Sequence, residues 1–490
     1  MMRTTRRALL LGGGAALGYG AARALSPGLP SLAGNPLLPD GTPDGMLNDA
    51  SLLSPTPVAS HEALDTAGEQ LAEAFRARLA DGPPVNVGAA RHSMGGHAIP
   101  PEGQALTLAN GTVAVAEDGS AMRVHAGARW SEVIAALDPL GHSPKVMQSN
   151  NDFGVAATFS VNAHGWPVPH GPMGSTVRSV RMVMPSGDLV TASREENPDL
   201  FALAMGGYGL IGLIVDMEVE IVPNLRLTPE YVRLPGTEIA AAFSEAVADP
   251  EVSMAYGRLS VGREDFFQDG FFIAYRPAAD QADLPPASGS GWLSRRARDI
   301  FRAQLGHEGW KGARWGFETR IGPMIGGGEV TRNSLINEPV LTLDDRDPAR
   351  TDILHEYFVP LEAYPDFVQA CRKAIPASYQ ELLNITLRYV DTDPVSVLAY
   401  APGPRIAAVM LFSQEMTARG EADMARMTQA LIDRTLDLGG TYYLPYRPHA
   451  TLDQMRRGYP RAEEFAAAKR GIDPDLRLRS VFWDNYVSKL

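Results

Sequence analysis

Three glycine-rich segments constrain this chain more than any other feature. The first is Val87-Gly88-Ala89-Ala90-Arg91-His92-Ser93-Met94-Gly95-Gly96-His97, directly after a β-type run. The second, Gly154-Val155-Ala156-Ala157-Thr158-Phe159-Ser160-Val161-Asn162-Ala163-His164-Gly165, is small or apolar until a histidine held between two small residues. The third, Gly206-Gly207-Tyr208-Gly209-Leu210-Ile211-Gly212-Leu213-Ile214, runs into another β-type stretch. Small residues let the backbone approach a ligand closely, and successive N–H groups can cradle a pyrophosphate. Taken singly, each segment also has an ordinary reading: a turn, a structural histidine, close helix–strand packing. The first is not the G-x-G-x-x-G Rossmann fingerprint, and no helix obviously begins inside it.

A length of 490 residues leaves room for two or three domains and a large core. With 44 basic and 57 acidic residues the net charge is −13, so phosphate backbones are not attracted and nucleic acid is not an expected partner. The single cysteine, Cys371, excludes an intramolecular disulfide and a cysteine-based zinc cluster, and reads as a small buried residue. No metal site is expected. At the N-terminus, Thr4-Thr5-Arg6-Arg7 precedes an apolar run from Ala8 to Ala22 and a small-x-small site at Ala22-Arg23-Ala24. This layout resembles a twin-arginine export signal over 1–24, which predicts a periplasmic location, with membrane contact only if the signal is retained.

Residues 25–58 are rich in Pro, Gly, Ser and Leu and read as an irregular tether. Apolar positions at Leu64, Ala67, Leu71, Ala74, Phe75 and Leu79 predict a helix over 62–80. From 85 to 223 short β-type runs alternate with Gly/Pro/Asn punctuation, interrupted by a helix from Trp130 to Leu137 opened by Ser131. Beyond Pro223 longer strands mix with helices. Leu382 to Val390 alternates, with Leu383, Ile385 and Leu387 on one face and Asn384, Thr386 and Arg388 on the other. A second strand is expected at Ala407–Phe412, an amphipathic helix from Glu421 to Leu438, and a mobile excursion at 279–292.

Together the three segments resemble the FAD-binding domain of the vanillyl-alcohol oxidase, or PCMH-type, flavoprotein superfamily. Its GxxHSxxG loop corresponds to Gly88–Gly96, its NxHG segment to Asn162–Gly165, and its GGxGxxGxI segment to Gly206–Ile214. Pro185-Ser186-Gly187-Asp188 looks like the family's hairpin turn, and Gly439–Leu444 with Lys469–Pro474 like its C-terminal return. The nearest look is to the sugar, alditol, aldonolactone and decaprenylphosphoryl-ribose oxidase branch. The resemblance implies an α+β fold. A PCMH-type FAD-binding domain of two α/β subdomains would span 59–224. A cap, or substrate, domain of antiparallel sheet flanked by helices would span 225–438, and 439–490 would return to the first domain.

It further implies FAD as cofactor, held by the loop Val87 to His97 and by Ser149, Gly154, Ala157, Asn162, Ala163, His164, Ile214 and Tyr443. In many members the histidine of the HS pair is bonded to the flavin, and His92 stands there; other members replace it and hold FAD non-covalently. His97 and His170 also read as structural. His164 is the first candidate beside the reacting atoms, because the matched segment in relatives places its histidine at the active site. Tyr446 falls where sugar-oxidising relatives often carry a lysine. Arg388 lies on a strand whose counterpart faces substrate in alditol- and aldonolactone-oxidising relatives; a cap salt bridge is its ordinary reading. The implied reaction is oxidation of an alcohol of polyol, sugar or lactone type by hydride transfer, with dioxygen or another carrier as electron acceptor. A C=C reductase or dehydrogenase of the same fold, and more distantly a non-catalytic flavin-binding protein, are the alternatives.

Overall fold

The computed structural model describes residue 37 and residues 41–80, 82–289, 297–326, 328–340 and 347–490. The export signal expected at 1–24 lies outside them, as do most of 25–40 and the end of the 279–292 excursion. Among the described residues no helix is long and apolar enough to cross a membrane.

The fold is α+β, built on three sheets of three or more strands, with a two-stranded pair beside them. The three-stranded sheet is parallel, in the order Ser60–Leu64, Gln104–Leu108, Val85–Gly88. Parallel strands need a crossover, and the helix Gly68–Ala80 joins the two outer strands, burying Leu71, Ala72, Phe75 and Leu79 along one face. The helix expected over 62–80 therefore starts later. Leu64 belongs to the strand, residues 65–67 separate the two, and Gly68, at φ 56°, opens the helix.

The second sheet is antiparallel: Leu189–Ser193, Val177–Val183, Leu213–Pro223, Ala121–His125 and Val113–Val115, with His142–Pro144 on the far end of the long strand. Its hairpin turns at Pro185-Ser186-Gly187-Asp188, where Gly187 takes φ 90°. The helix Trp130–Leu137 is not opened by Ser131. Glu132 reaches back to accept from the Arg129 N–H at 2.8 Å, and Ser131 sits inside the first turn.

The third sheet has eight antiparallel strands, in the order Val330–Thr331, Arg226–Pro235, Asp269–Pro277, Met254–Leu259, Glu381–Val390, Arg405–Glu415, Arg350–Val359, Thr441–Tyr442. The helices Ile239–Ala248, Tyr364–Ala374 and Ala418–Asp437 bury apolar stripes in the same core. The alternation expected along Leu382–Val390 has one exception. A bulge between Leu382 and Asn384 turns Leu383 away from Ile385 and Leu387, into a separate cluster with Leu305 and Leu411.

The C-terminal section thus begins as a strand of this third sheet, then crosses back. Lys469 and Asp473 form a buried ion pair. Asp473 also accepts from the N–H groups of Arg477 and Leu478, each at 2.8 Å. Leu478 bridges Val85, at the root of the first glycine-rich loop.

Two stretches expected to be irregular are anchored. Met46–Leu47 pairs with Thr56–Pro57, and between them buried Asp49 accepts from the Gly96 N–H at 2.8 Å. The Ala50 N–H donates to the Arg91 carbonyl. The described part of the 279–292 excursion is pinned where the Ala287 and Ser288 N–H groups donate to Asp138 and Ser334. Composition alone marked these stretches as loops; the side chains that dock them are distant in sequence.

Candidate active site

A large cavity lies between the glycine-rich loops and the third sheet. Val87, Gly88, Ala89, Ala90, Arg91, His92, Ser93, Met94 and His97 line it from the first loop. Gly154, Ala157, Ala163 and His164 line it from the second segment, Ile214 from the third, and Ser149, Tyr443, Tyr446 and Arg388 from elsewhere. A Cβ on Gly154 would stand 2.7 Å from the Ala89 Cβ, so the first two segments touch only because one has no side chain.

Three expected cofactor contacts are not on the cavity wall. A Cβ at Gly95 would come within 2.9 Å of the Tyr446 carbonyl oxygen, and one at Gly96 within 2.6 Å of Val481 Cβ. Both glycines are small because the C-terminal return packs on them. Asn162, at φ 49°, turns its amide away from the cavity to donate to Asp393 at 2.8 Å and accept from the Gly174 N–H at 3.0 Å. It fixes the turn that presents Ala163 and His164.

Within the first loop, Arg91 folds back on the parallel sheet, donating to Thr107 Oγ1 at 2.8 Å and the Leu106 carbonyl at 3.2 Å. Burial pulls its guanidinium down to about 10. His97 stacks on Phe482 at 4.9 Å between centroids and meets the tilted Tyr208 ring at 5.3 Å, and burial lowers it to about 3. His92 leans on Phe153, with Nε2 3.8 Å from an Asp152 carboxylate oxygen. His170 is not on the cavity wall, and burial lowers it to about 4.

The polar centre gathers His164, Tyr446 and Arg388, together with Glu356, which sequence reading missed. Glu356 is 4% exposed. One of its oxygens meets His164 Nε2, and the other accepts from the Tyr446 hydroxyl at 3.1 Å. Arg388 donates to the His164 carbonyl at 3.2 Å and to Ser149 Oγ at 2.9 Å. Among the described residues no carboxylate pairs with it, so no cap salt bridge is seen there. Burial, against the pull of Glu356, holds the His164 ring below its usual range. Burial and the nearby carboxylate both push the Tyr446 phenol well above its own. Both side chains are therefore neutral near pH 7, and Tyr446 keeps its proton to donate. A carboxylate and a histidine side by side in the apolar strand Ile353-Leu354-His355-Glu356-Tyr357 were the available signal for Glu356.

These residues fit FAD. The cradle is built of glycine and alanine, and the Ala89, Ala90 and Ser93 N–H groups donate to no other backbone group among the described residues. On the third sheet the buried Arg388 Nε has no hydrogen-bond partner among the described residues. Residues 66–193 match the FAD binding domain family. The chain thus carries a PCMH-type FAD-binding domain of the flavoprotein superfamily, and its cofactor is FAD. The domain is shared with oxidases and dehydrogenases. Cytokinin dehydrogenase 7 of Oryza sativa subsp. japonica is 31% identical over 157 residues, 30% of each chain. D-arabinono-1,4-lactone oxidase of Yarrowia lipolytica is 33% identical over 100 residues, 20% of this chain and 19% of that one. L-galactono-1,4-lactone dehydrogenase 1, mitochondrial, of Oryza sativa subsp. japonica is 30% identical over 122 residues, 25% of this chain and 21% of that one. The match spans less than a third of each of these three relatives' length.

Proposed function

We propose that this protein oxidises an alcohol, with the Tyr446–Glu356–His164 cluster taking the hydroxyl proton while the carbinol hydrogen leaves as hydride. FAD, when bound, supplies the two-electron acceptor. The observation that carries the reading is the buried carboxylate of Glu356, held between a phenol and an imidazole on the cavity wall. Tyr446 Oη receives the substrate proton as its own proton passes to Glu356 Oε2. His164 Nε2 donates to Glu356 Oε1 and holds the carboxylate in place. Arg388 puts positive charge on the same wall and favours the negative charge that develops in the cavity. The two aldonolactone enzymes among the relatives support an alcohol as electron donor, and the polyol, sugar or lactone type remains the family-level expectation. Dioxygen or a carrier then reoxidises the protein. Export by the twin-arginine route is part of the same proposal, tested by Arg6→Lys with Arg7→Lys and cell fractionation.

A second reading, dehydrogenation of a donor that is not an alcohol, is favoured by the cytokinin dehydrogenase among the relatives. One experiment separates the two. The purified holoprotein is mixed anaerobically with alcohols, lactones and amines, and loss of the oxidised-flavin absorbance is followed. Bleaching by an alcohol or lactone supports the proposal. Bleaching by dithionite but by no alcohol or lactone sinks it.

A further inference from the structure

Three strands of the third sheet face the cavity with alternate residues: Asp352, Leu354 and Glu356; Val409 and Leu411; Asn384, Thr386 and Arg388. Register sorts them into rows. Thr386, Val409 and Glu356 lie side by side, and the next row is Asn384, Leu411 and Leu354. The polar centre therefore gives way, within one row, to an aliphatic stripe of Val409, Leu411 and Leu354. The stripe continues outward: Leu411 and Leu354 pack with Leu305, Leu383 and Phe301 in an apolar cluster separate from the main core. Two polar groups flanking it are engaged by protein, and Thr386 stands beside Val409 in the first row. Asp352 is paired with Arg302, and Asn384 with Arg258, which also meets Glu318 at 3.1 Å. The stripe stands on the same sheet face as Glu356 and Arg388, beside the first loop, where the Leu354 N–H meets Met94 Sδ at 3.3 Å, so it borders the space in front of the polar centre.

We infer that the substrate is amphipathic, a single alcohol group attached to an apolar alkyl or aryl body that lies on Val409, Leu411 and Leu354. This rests on the alcohol-oxidation reading and narrows it away from polyols. Each methylene moved from water onto such a surface tightens binding about fourfold. Each hydroxyl buried there without a partner weakens it on the order of tenfold.

The test is a titration of the holoprotein, without oxygen, by 1-butanol, 1-hexanol, 1-octanol and xylitol, read as the shift in the visible flavin spectrum. Dissociation constants falling about fourfold per methylene, with xylitol weaker than 1-hexanol, are expected. In Leu411→Ser, or in Leu354→Asn should the first lose its flavin, the chain-length dependence flattens. A flat series in the native protein, xylitol binding as tightly as 1-hexanol, or no spectral shift with any alkanol overturns the inference. Alkanols that bind in this order without ever bleaching the flavin overturn the oxidation reading instead. Bleaching by xylitol with a flat alkanol series does the reverse.

Discussion

The Tyr446 hydroxyl donates to Glu356 across 3.1 Å, tying the C-terminal return to the strand Arg350–Val359 at the polar centre of the cavity. If this bond is the exit route of the substrate proton, Glu356→Gln keeps the shape and loses the acceptor. Flavin reduction by alcohol should slow about 10²- to 10⁴-fold, the usual reach of a general base. Tyr446→Phe should slow it too, while reduction by dithionite stays at the native rate in both. Native alcohol-driven rates in Glu356→Gln, measured by anaerobic stopped flow, would remove Glu356 from the mechanism.

Arg388 offers a different signature, since it contributes charge rather than a proton. Replacement by Ala should lower the alcohol-driven rate about 10²- to 10³-fold, the range for losing one preorganised electrostatic donor. It should also shift the flavin midpoint potential to a more negative value, because a cation that favours the reduced site is gone. Arg388→Lys should recover part of the potential and less of the rate, since an ammonium cannot span both Ser149 Oγ and the His164 carbonyl. An unchanged potential in Arg388→Ala would place this residue in a packing role.

The cradle was legible in sequence because it is local: the small residues of 88–93 and 154–163 both identify it and form it. Arg388 and Tyr446 were found through the resemblance. Glu356 was not, because its partner His164 lies 192 residues away and only the pairing of the third sheet brings them together. The same limit explains Gly95, Gly96 and Asn162. A small or amide residue in a loop gives no sign of whether it meets a ligand or a neighbouring chain segment. Asp49 is the converse case, an acidic residue in a Pro/Gly-rich stretch whose importance rests on one backbone N–H in a distant loop.

His92 is where the covalent link of the resemblance would form, and its Nε2 stands 3.8 Å from Asp152. Acid precipitation of the native protein should carry the yellow colour into the pellet. With His92→Ala the colour should move to the supernatant, while the folded protein still binds FAD. Asp152→Asn should give a mixture, through loss of the carboxylate that orients the ring. A colourless native pellet would show that His92 holds the flavin without a bond.

Acid should destabilise the fold through its buried histidines. Burial lowers His97 and His355 from 6.5 to about 3. The unfolded chain therefore binds more protons than the folded one between those values. Their destabilising effect is absent above pH 6.5 and grows as pH drops towards 3, by roughly 1.4 kcal/mol per pH unit for each group. In His355→Gln, which can still bond to the Thr428 hydroxyl, urea unfolding at pH 6.5, 5.5 and 4.5 should show a slope shallower by about that amount. An identical slope would mean that His355 is protonated in the folded protein.

Asp49 makes the segment before the first domain part of the cofactor site. Its carboxylate accepts from the Gly96 N–H at 2.8 Å and from the Ser51 N–H at 3.0 Å, and the group is 4% exposed. Asp49→Ala leaves the Gly96 N–H buried without an acceptor, a cost of about 1–3 kcal/mol, and frees the loop that carries His92. The effect should appear on FAD and not on the proton route. In the His92→Ala background, where the flavin can dissociate, FAD affinity should fall on the order of tenfold. The reduction rate of the FAD-saturated protein should hold. Fluorescence titration of the apoprotein measures the first, and stopped flow the second. An unchanged FAD affinity would make the Asp49 contact a matter of chain packing alone, whereas a lost rate at full FAD occupancy would mean that the strut also sets the position of Tyr446, whose carbonyl lies against Gly95 in the same loop.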